Sequence, residues 1–81
     1  MRKVDYVKKS SYRTKVVKSL GNDVKRPMEI AEETGILSNH ISNVLRQLKE
    51  KKIVKCINPK MKKGRLYKLT DEGLNILNNI D

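Results

Sequence analysis

The sequence predicts an α+β domain in which helices occupy most of the chain and a single β-hairpin precedes the last helix. Three observations predict this class. Apolar residues recur at helical spacing in several segments, β-branched residues mark two short strands, and Pro and Gly separate the segments from one another. The 81 residues suffice for one small domain, residues 1–81, with one thin core.

The first helix is expected to end at about Leu20. Its apolar stripe consists of Tyr12, Val16, Val17 and Leu20. Ser10 or Ser11 can cap this well-patterned part, because a serine hydroxyl accepts a hydrogen bond from a first-turn N–H. Val4 and Val7 can extend the helix upstream.

Two further helices follow, with a tight turn between them. After a turn at residues 21–23, Pro27 suits the first helical position, since the N–H that proline lacks would be unpaired there. Gly35 ends this second helix in the left-handed conformation. Ser38 is expected to cap the third helix, which runs over about residues 39–51. Its amphipathic stripe consists of Ile41, Val44, Leu45 and Leu48.

A hairpin and a last helix complete the chain. Residues 53–57 and 65–69 have the β-branched or alternating pattern of strands, and residues 58–65 contain a flexible basic tip. Thr70 caps a last helix whose first turn is acidic. A helix, a Gly turn and a second helix form a helix-turn-helix. The predicted fold is therefore a winged helix-turn-helix, with a three-helix core, a two-stranded β-hairpin wing and a C-terminal helix.

The charge of the chain is large, positive and uneven. Lys and Arg number 19 against 9 Asp and Glu, a net charge of +10, and residues 1–26 and 51–70 carry net charges of +7 and +8. Such segments favour a polyanionic partner. The absence of Trp and Phe makes nucleic acid a better candidate than an anionic membrane. A lysine-rich surface without such a partner is the alternative.

Several classes of function are disfavoured. No apolar stretch is long enough to span a membrane, and the N-terminus lacks a signal peptide, so we expect a cytoplasmic protein. Cys56 is the only cysteine and His40 the only histidine, so one chain offers no disulfide and no metal site. Cys56 is more typical of a small buried hydrophobe than of a redox sensor. No catalytic arrangement is present, so the sequence predicts no enzyme, no cofactor and no small-molecule ligand.

The face of the third helix opposite its apolar stripe is polar and mostly uncharged. Its candidate base-contacting residues are Asn39, Ser42, Asn43 and Arg46. Amide side chains can bind adenine and arginine can bind guanine, whereas a merely solvated face more often carries Glu–Lys pairs. The candidate contacts to the DNA backbone are Ser38, His40, Gln47, Lys60, Lys62, Lys63 and Arg65. The alternatives are a polar face without contacts, an exposed His40, and a solubilising loop at a sheet edge.

The sequence resembles the winged helix-turn-helix transcription regulators of the ArsR/MarR-like superfamily, in particular small archaeal-type members. The resemblance covers about residues 10–77, and two patterns carry it: Glu29-Ile-Ala…Gly35…Ser38…Ile41-Ser42…Leu45…Leu48 and Gly64-Arg65…Tyr67…Leu69-Thr70…Gly73. It implies a third helix in the major groove, a wing on the backbone or minor groove, and a homodimer. Arg26 and Lys52 depart from the usual capping residue and glycine, and the cysteines of ArsR-type metal sensors are missing.

Three functions are compatible with these patterns. The first is a sequence-specific, double-stranded DNA-binding transcription regulator, dimeric through its terminal helices. The candidate dimer residues are Leu74, Ile76, Leu77 and Ile80. The second is an RNA- or ribonucleoprotein-binding winged-helix protein, since fold does not determine function. The third is a protein-interaction module with incidental basic charge.

Overall fold

The computed structural model describes residues 2–80. Within that range the elements are α1 (Lys3–Lys8), α2 (Ser11–Leu20), α3 (Pro27–Thr34), α4 (Ser38–Glu50), β1 (Val54–Cys56), β2 (Tyr67–Leu69) and α5 (Asp71–Asn79). Helices α3 and α4 form the helix-turn-helix, and the antiparallel β1–β2 hairpin lies between α4 and α5. This order is the winged helix-turn-helix of class α+β, which confirms the predicted fold.

The N-terminal segment forms two helices, where the sequence predicted one with an upstream extension. Ser10 has an extended backbone and its Oγ accepts the N–H of Arg13 at 3.2 Å, so the predicted serine cap is confirmed. That cap starts a new helix and separates α2 from α1. Val7 is fully buried, and its carbonyl oxygen accepts the hydroxyl of Thr14 at 3.1 Å. These contacts fold α1 back onto α2.

The core is built from side chains of all the helices and both strands. The buried hydrophobic residues are Val7, Val16, Val17, Leu20, Ile30, Ile36, Ile41, Val44, Leu45, Leu48, Ile53, Val54, Leu69 and Ile76. The predicted core position of Tyr12 is wrong, because its side chain is 39% exposed. The ring lies instead beside that of His40, with centroids 5.5 Å apart. Cys56 is half-buried rather than buried.

The turn of the helix-turn-helix follows the predicted glycine. Gly35 ends α3 with φ 74° and ψ 9°, the left-handed conformation. At the other end of α3, Arg26 provides no side-chain cap, as its identity predicted. The carboxylate of Glu29 accepts the Arg26 backbone N–H at 3.2 Å. This hydrogen bond, together with a weaker one from the Arg26 guanidinium, lowers the pKa of Glu29.

Helix α4 begins one residue earlier than predicted. The carbonyl oxygen of Leu37 already accepts the N–H groups of His40 and Ile41, both at 3.0 Å. Leu37 is therefore the N-cap and Ser38 the first helical residue, with no side-chain cap hydrogen bond. The predicted capping role of Ser38 is therefore wrong. Ser38 already belongs to the first turn of the helix, and the cap position is occupied by Leu37, whose side chain has no hydrogen-bonding group.

The end of α4 is a Schellman motif built on a lysine. The N–H of Ile53 donates to Leu48 O at 2.9 Å, and Lys52 has a positive φ of 60°. The buried side chains of Leu48 and Ile53 supply the apolar contact that accompanies this motif. Lys52 thus occupies the left-handed position in which a glycine is expected, and the Cβ of the lysine makes this conformation less favourable.

Lys52→Gly is expected to raise the free energy of unfolding by about 0.5–1 kcal/mol. Glycine removes the strain of a left-handed lysine, and its larger entropy in the unfolded chain offsets part of the gain. Urea unfolding of both proteins measures the difference. Lys51→Gly is the control and is expected to destabilise, because Lys51 has φ −88°. A Lys52→Gly variant weaker than the wild type would contradict this account of the helix end.

The hairpin is short, and its register places one face on the core. The paired residues are Val54 with Leu69, Lys55 with Lys68, and Cys56 with Tyr67. The strands are shorter than predicted, although Ile57 N–H still donates to Leu66 O at 2.9 Å. Lys25 pairs with the free edge of β2, through Lys25 N–H to Tyr67 O at 3.0 Å and Tyr67 N–H to Lys25 O at 2.9 Å. The sequence analysis did not predict this pairing.

The side chain of Lys25 continues this link toward α3. Its Nζ lies 2.5 Å from Glu33 Oε2, which also accepts the hydroxyl of Ser19 at 2.7 Å. The hydrogen bond from Lys25, and then that from Ser19, lowers the pKa of Glu33. A carboxyl group with a lowered pKa stabilises the fold above its ordinary pKa of about 4.3, and this contribution is lost as the pH falls.

Helix α5 is capped as predicted but turns one candidate dimer residue inward. Thr70 Oγ1 accepts the N–H of Gly73 at 3.1 Å. Ile76 is only 5% exposed and belongs to the core of its own chain. It therefore offers a partner chain little surface, and its part in a dimer interface stays a prediction. Leu74, Leu77 and Ile80 are half-buried against the same core, and their part in an interface stays a prediction.

Candidate nucleic-acid interface

The predicted base-contacting residues all lie on the exposed face of α4. Asn39, Ser42, Asn43 and Arg46 are exposed, whereas the apolar stripe on the other side of the helix is buried. Arg46 Nη2 donates to Asn43 Oδ1 at 3.2 Å. The pair lies within one turn of the helix, so an amide and a guanidinium group reach the surface side by side. Such groups carry the donors and acceptors that base edges present.

The first turn of α4 adds backbone donors to this face. Ser38 and His40 are exposed, as is Leu37 at the N-cap. The N–H of His40 is bonded to Leu37 O, so the donors of the first turn are the N–H groups of Ser38 and Asn39, which lie at the positive end of the helix dipole. The predicted phosphate contacts of Ser38 and His40 fit this position.

Gln47 lies at the α2–α4 contact and is only half-exposed. Its Oε1 accepts Arg13 Nε at 3.2 Å. Arg13 also donates from Nη1 to Tyr6 O at 3.0 Å, and its guanidinium lies 3.8 Å from the centroid of the Tyr6 ring. The carbonyl oxygen of Gln47 is thus engaged inside the protein, which leaves its amide N–H groups for the predicted contact to DNA. The sequence analysis did not identify this link between α1, α2 and α4.

The wing is ordered by its own hydrogen bonds. Asn58 Nδ2 donates to Gly64 O at 3.1 Å, and Asn58 Oδ1 accepts the N–H of Leu66 at 2.7 Å. Arg65 Nε donates to Met61 O at 2.8 Å. Asn58 therefore joins the two ends of the loop. The sequence pattern does not reveal this role, because an Asn before Pro indicates only a turn.

The lysine side chains of the wing remain outside these bonds. Lys60, Lys62 and Lys63 are exposed, and the structure places Arg65 beside them. Gly64 has a positive φ of 69° at the point where the chain turns back. The wing thus presents a cationic edge on a loop of defined shape.

A cleft of about 470 Å³ joins the exposed face of α4 to the wing. Its lining residues are Pro27, Ser42, Asn43, Leu45, Arg46, Lys49, Lys62, Gly64, Arg65 and Tyr67. The structure therefore brings together residues predicted for base contacts and residues predicted for backbone contacts. None of the lining residues is acidic, and four are Lys or Arg.

Lys49 is a member of this cleft that the sequence analysis missed. It begins the run Lys49-Glu50-Lys51-Lys52, whose alternating Glu and Lys residues are typical of a solvated helix end. The helical spacing from Ser42 and Arg46 to Lys49 is the signal that could have found it, because residues three and four apart lie on one face.

The part of the chain that the structure describes shows neither a metal cluster nor a membrane helix. Among residues 2–80, no group of three or more His, Cys, Asp or Glu side chains could hold a metal ion. In the same range, every helix is too short or too polar to cross a bilayer.

Comparison with known proteins supports the architecture. No family model and no curated protein matches the sequence. A solved structure of a ZitR mutant from Lactococcus lactis aligns with 86% of this chain at a TM-score of 0.76 and 18% sequence identity. This chain spans about half of that protein, covering 49% of its length. At 18% identity the similarity concerns the fold alone. The fold places this chain among the winged helix-turn-helix proteins.

Proposed function

We propose that this chain is a sequence-specific regulator of transcription that binds double-stranded DNA. Helix α4 enters the major groove, and the wing at residues 58–65 contacts the adjacent backbone or minor groove. The observation that carries this proposal is the cleft shared by the polar face of α4 and the cationic wing, which has no acidic lining residue. The resemblance to ArsR/MarR-like regulators and the fold shared with ZitR support it.

The dimensions and chemistry of α4 suit the major groove. An α-helix with its side chains is about 10–12 Å wide, and the major groove of B-DNA is about 12 Å wide. Asn39 and Asn43 can each bind adenine in a bidentate manner, and Arg46 can bind guanine. The wing then supplies sequence-independent contacts to phosphates.

Double-stranded RNA fits this surface less well. Its major groove is deep and narrow, so a helix cannot enter it, and its minor groove is shallow. A polar face on an inserted helix would then have no base edges to contact. RNA binding stays the second candidate function, and competition between duplex DNA and structured RNA for the protein discriminates the two.

A homodimer is part of the proposal. Two copies would present two α4 helices to half-sites about one helical turn apart. The half-buried side chains of Leu74, Leu77 and Ile80 on α5 are the candidate contacts. Sedimentation with and without DNA tests this part, and a monomer under both conditions at micromolar concentration would contradict it.

The test of the proposal separates base contacts from backbone contacts. Selection from random DNA first identifies a bound site. On that site, Asn43→Ala or Arg46→Ala is expected to cost about 1–3 kcal/mol of binding free energy and to relax the sequence preference. The double variant Lys62→Gln/Lys63→Gln is expected to weaken binding about equally on all sequences. Asn78→Ala, at an exposed position on α5, is the control.

The salt dependence gives a second readout. About five to eight neutralised phosphates per monomer correspond to a slope of roughly −4 to −7 in a plot of log K against log salt concentration. The lysine variant should flatten that slope, whereas Asn43→Ala should leave it unchanged. If both sets of variants alter affinity, preference and slope in the same way, the division of roles is wrong. If no duplex is selected, the proposed function fails.

A further inference from the structure

The outer face of the hairpin carries two lysines directly opposite each other. Lys55 on β1 is paired with Lys68 on β2. Like charges directly opposite each other on neighbouring strands destabilise a sheet. Among residues 2–80, neither Lys55 nor Lys68 forms a salt bridge with an acidic side chain. The repulsion between the two hairpin lysines therefore has no ion pair to offset it.

Two more lysines extend this positive surface to the DNA-binding cleft. Lys52, Lys55 and Lys68 line one cleft, and Lys49, Lys52 and Lys55 line a second cleft of about 440 Å³. Lys49 also lines the cleft between α4 and the wing. We call Lys49, Lys52, Lys55 and Lys68 the outer lysine patch. The patch continues from the cleft between α4 and the wing, around the end of α4, onto the hairpin.

The acidic residues near the patch do not neutralise it. Asp71 and Glu72 line the same cleft as Lys68. The carboxylate of Glu72 is paired with Lys3 instead, with Nζ and Oε2 2.6 Å apart. Asp71 lies in the first turn of α5, where the helix dipole already stabilises its charge. Asp71 and Glu72 thus form no ion pair with the four lysines of the patch.

We propose that the outer lysine patch binds phosphates of the same DNA duplex, beyond the segment that α4 contacts. This inference rests on the proposed function. A duplex carries one negative charge per about 1.7 Å of its axis, and the patch is continuous with the cleft that would hold it. Phosphates placed near Lys55 and Lys68 would also remove the repulsion that the pair exerts in the free protein.

The test compares two duplexes and two double variants. One duplex is limited to the selected site, and the other extends it by about 10 bp on each side, which is one helical turn. Lys55→Gln/Lys68→Gln alters the patch. Lys8→Gln/Lys15→Gln removes the same charge from exposed positions on α1 and α2 that line none of these clefts.

On the extended duplex, the patch variant is expected to flatten the salt slope of the wild type by about 1–2. The control should change it much less, and on the short duplex the two variants should behave alike. If the wild type binds the duplexes but patch variant and control agree on the extended one, this inference is overturned and the proposed function stands. Vesicles of phosphatidylserine test an anionic membrane as the partner. If the patch variant loses binding to these vesicles but keeps the wild-type binding to the extended duplex, the inference is also overturned. If the wild type binds neither duplex, the proposed function itself fails.

A charge reversal distinguishes a binding surface from a structural one. Lys55→Glu places opposite charges across the strands, so we expect a higher thermal midpoint than that of the wild type. The same variant should bind the extended duplex more weakly than Lys55→Gln does. Greater stability together with weaker binding cannot result from partial unfolding. A more stable variant with unchanged affinity for the extended duplex would overturn the inference.

Discussion

Gly73→Ala is expected to lower the free energy of unfolding by about 3 kcal/mol. A Cβ atom at this position would lie 2.2 Å from the carbonyl oxygen of Ile53 and 3.1 Å from Leu69 Cβ. Overpacking of a core costs about 1–3 kcal/mol when side chains can adjust. Here the obstacle is backbone, so the cost falls at the upper end or above it.

The carbonyl group of Ile53 cannot move aside freely. It accepts the N–H of Thr70 at 3.0 Å, and it shares the hydroxyl proton of Thr70 with Lys52 O, the two oxygen–oxygen distances being 3.1 and 2.7 Å. A shift that accommodates the new methyl group would weaken these bonds, each worth about 0.5–1.5 kcal/mol. The gain in helix propensity from glycine to alanine, about 1 kcal/mol, offsets only part of this loss.

Thermal and urea unfolding of Gly73→Ala measure the effect. For a domain of this size, 3 kcal/mol corresponds to a fall of roughly 12–24 °C in the midpoint temperature. Gly64→Ala is the matched control, because its φ is +69° but a Cβ there meets nothing within 4 Å. We expect it to cost about 1 kcal/mol through backbone conformation alone. Equal losses in the two variants would show that the close approach to Ile53 is unimportant.

The sequence predicted those elements whose causes are local. The stripe of α4 recurs at helical spacing, and Ile41, Val44, Leu45 and Leu48 are all buried. The caps at Ser10 and Thr70 and the turn at Gly35 also depend on neighbouring residues, and the structure confirms them. Each of these features follows from periodicity or from a hydrogen bond within a few residues.

The features that were missed depend on contacts between distant parts of the chain. Lys25 pairs with Tyr67, and Gly73 packs against Ile53. Neither partner can be identified from local spacing. The position of Tyr12 likewise involves a distant residue, because its ring lies beside that of His40. The burial of Ile76 is of the same kind, because spacing along α5 does not show which of its apolar residues meet the core.

For the candidate site, residue types were easier to predict than geometry. The exposed polar face of α4 and the basic wing follow from the pattern of the sequence. The cleft between them, and the place of Lys49 in it, depend on how the hairpin packs beside α4. The role of Asn58 within the wing depends on the path of the loop. Gln47 has the right position on the helical wheel, but a neighbour on α2 engages its carbonyl oxygen.

Arg13 is the residue whose side chain should contribute most to the placement of α4. Its guanidinium donates to Gln47 Oε1 and to Tyr6 O and stacks on the Tyr6 ring. Hydrogen bonds from a charged group contribute about 1.5–3 kcal/mol, and a cation–π contact about 0.5–2 kcal/mol. We expect Arg13→Ala to lower the free energy of unfolding by about 2–3 kcal/mol, because the site is partly exposed and the terms are not additive.

Urea unfolding of Arg13→Ala, Arg13→Lys and the control Lys15→Ala measures this effect. Lysine keeps the charge but lacks the planar fork that joins three groups, so Arg13→Lys should lose most of the same stability. A double-mutant cycle with Gln47→Ala is expected to give a coupling of about 0.5–3 kcal/mol. Because Gln47 lies on α4, Arg13→Ala should also weaken binding to the selected DNA site. This binding is measured under conditions in which the variant is still folded. If Arg13→Lys is as stable as the wild type and the cycle shows no coupling, the positive charge alone matters, and Arg13 does not fix the angle at which α4 meets DNA.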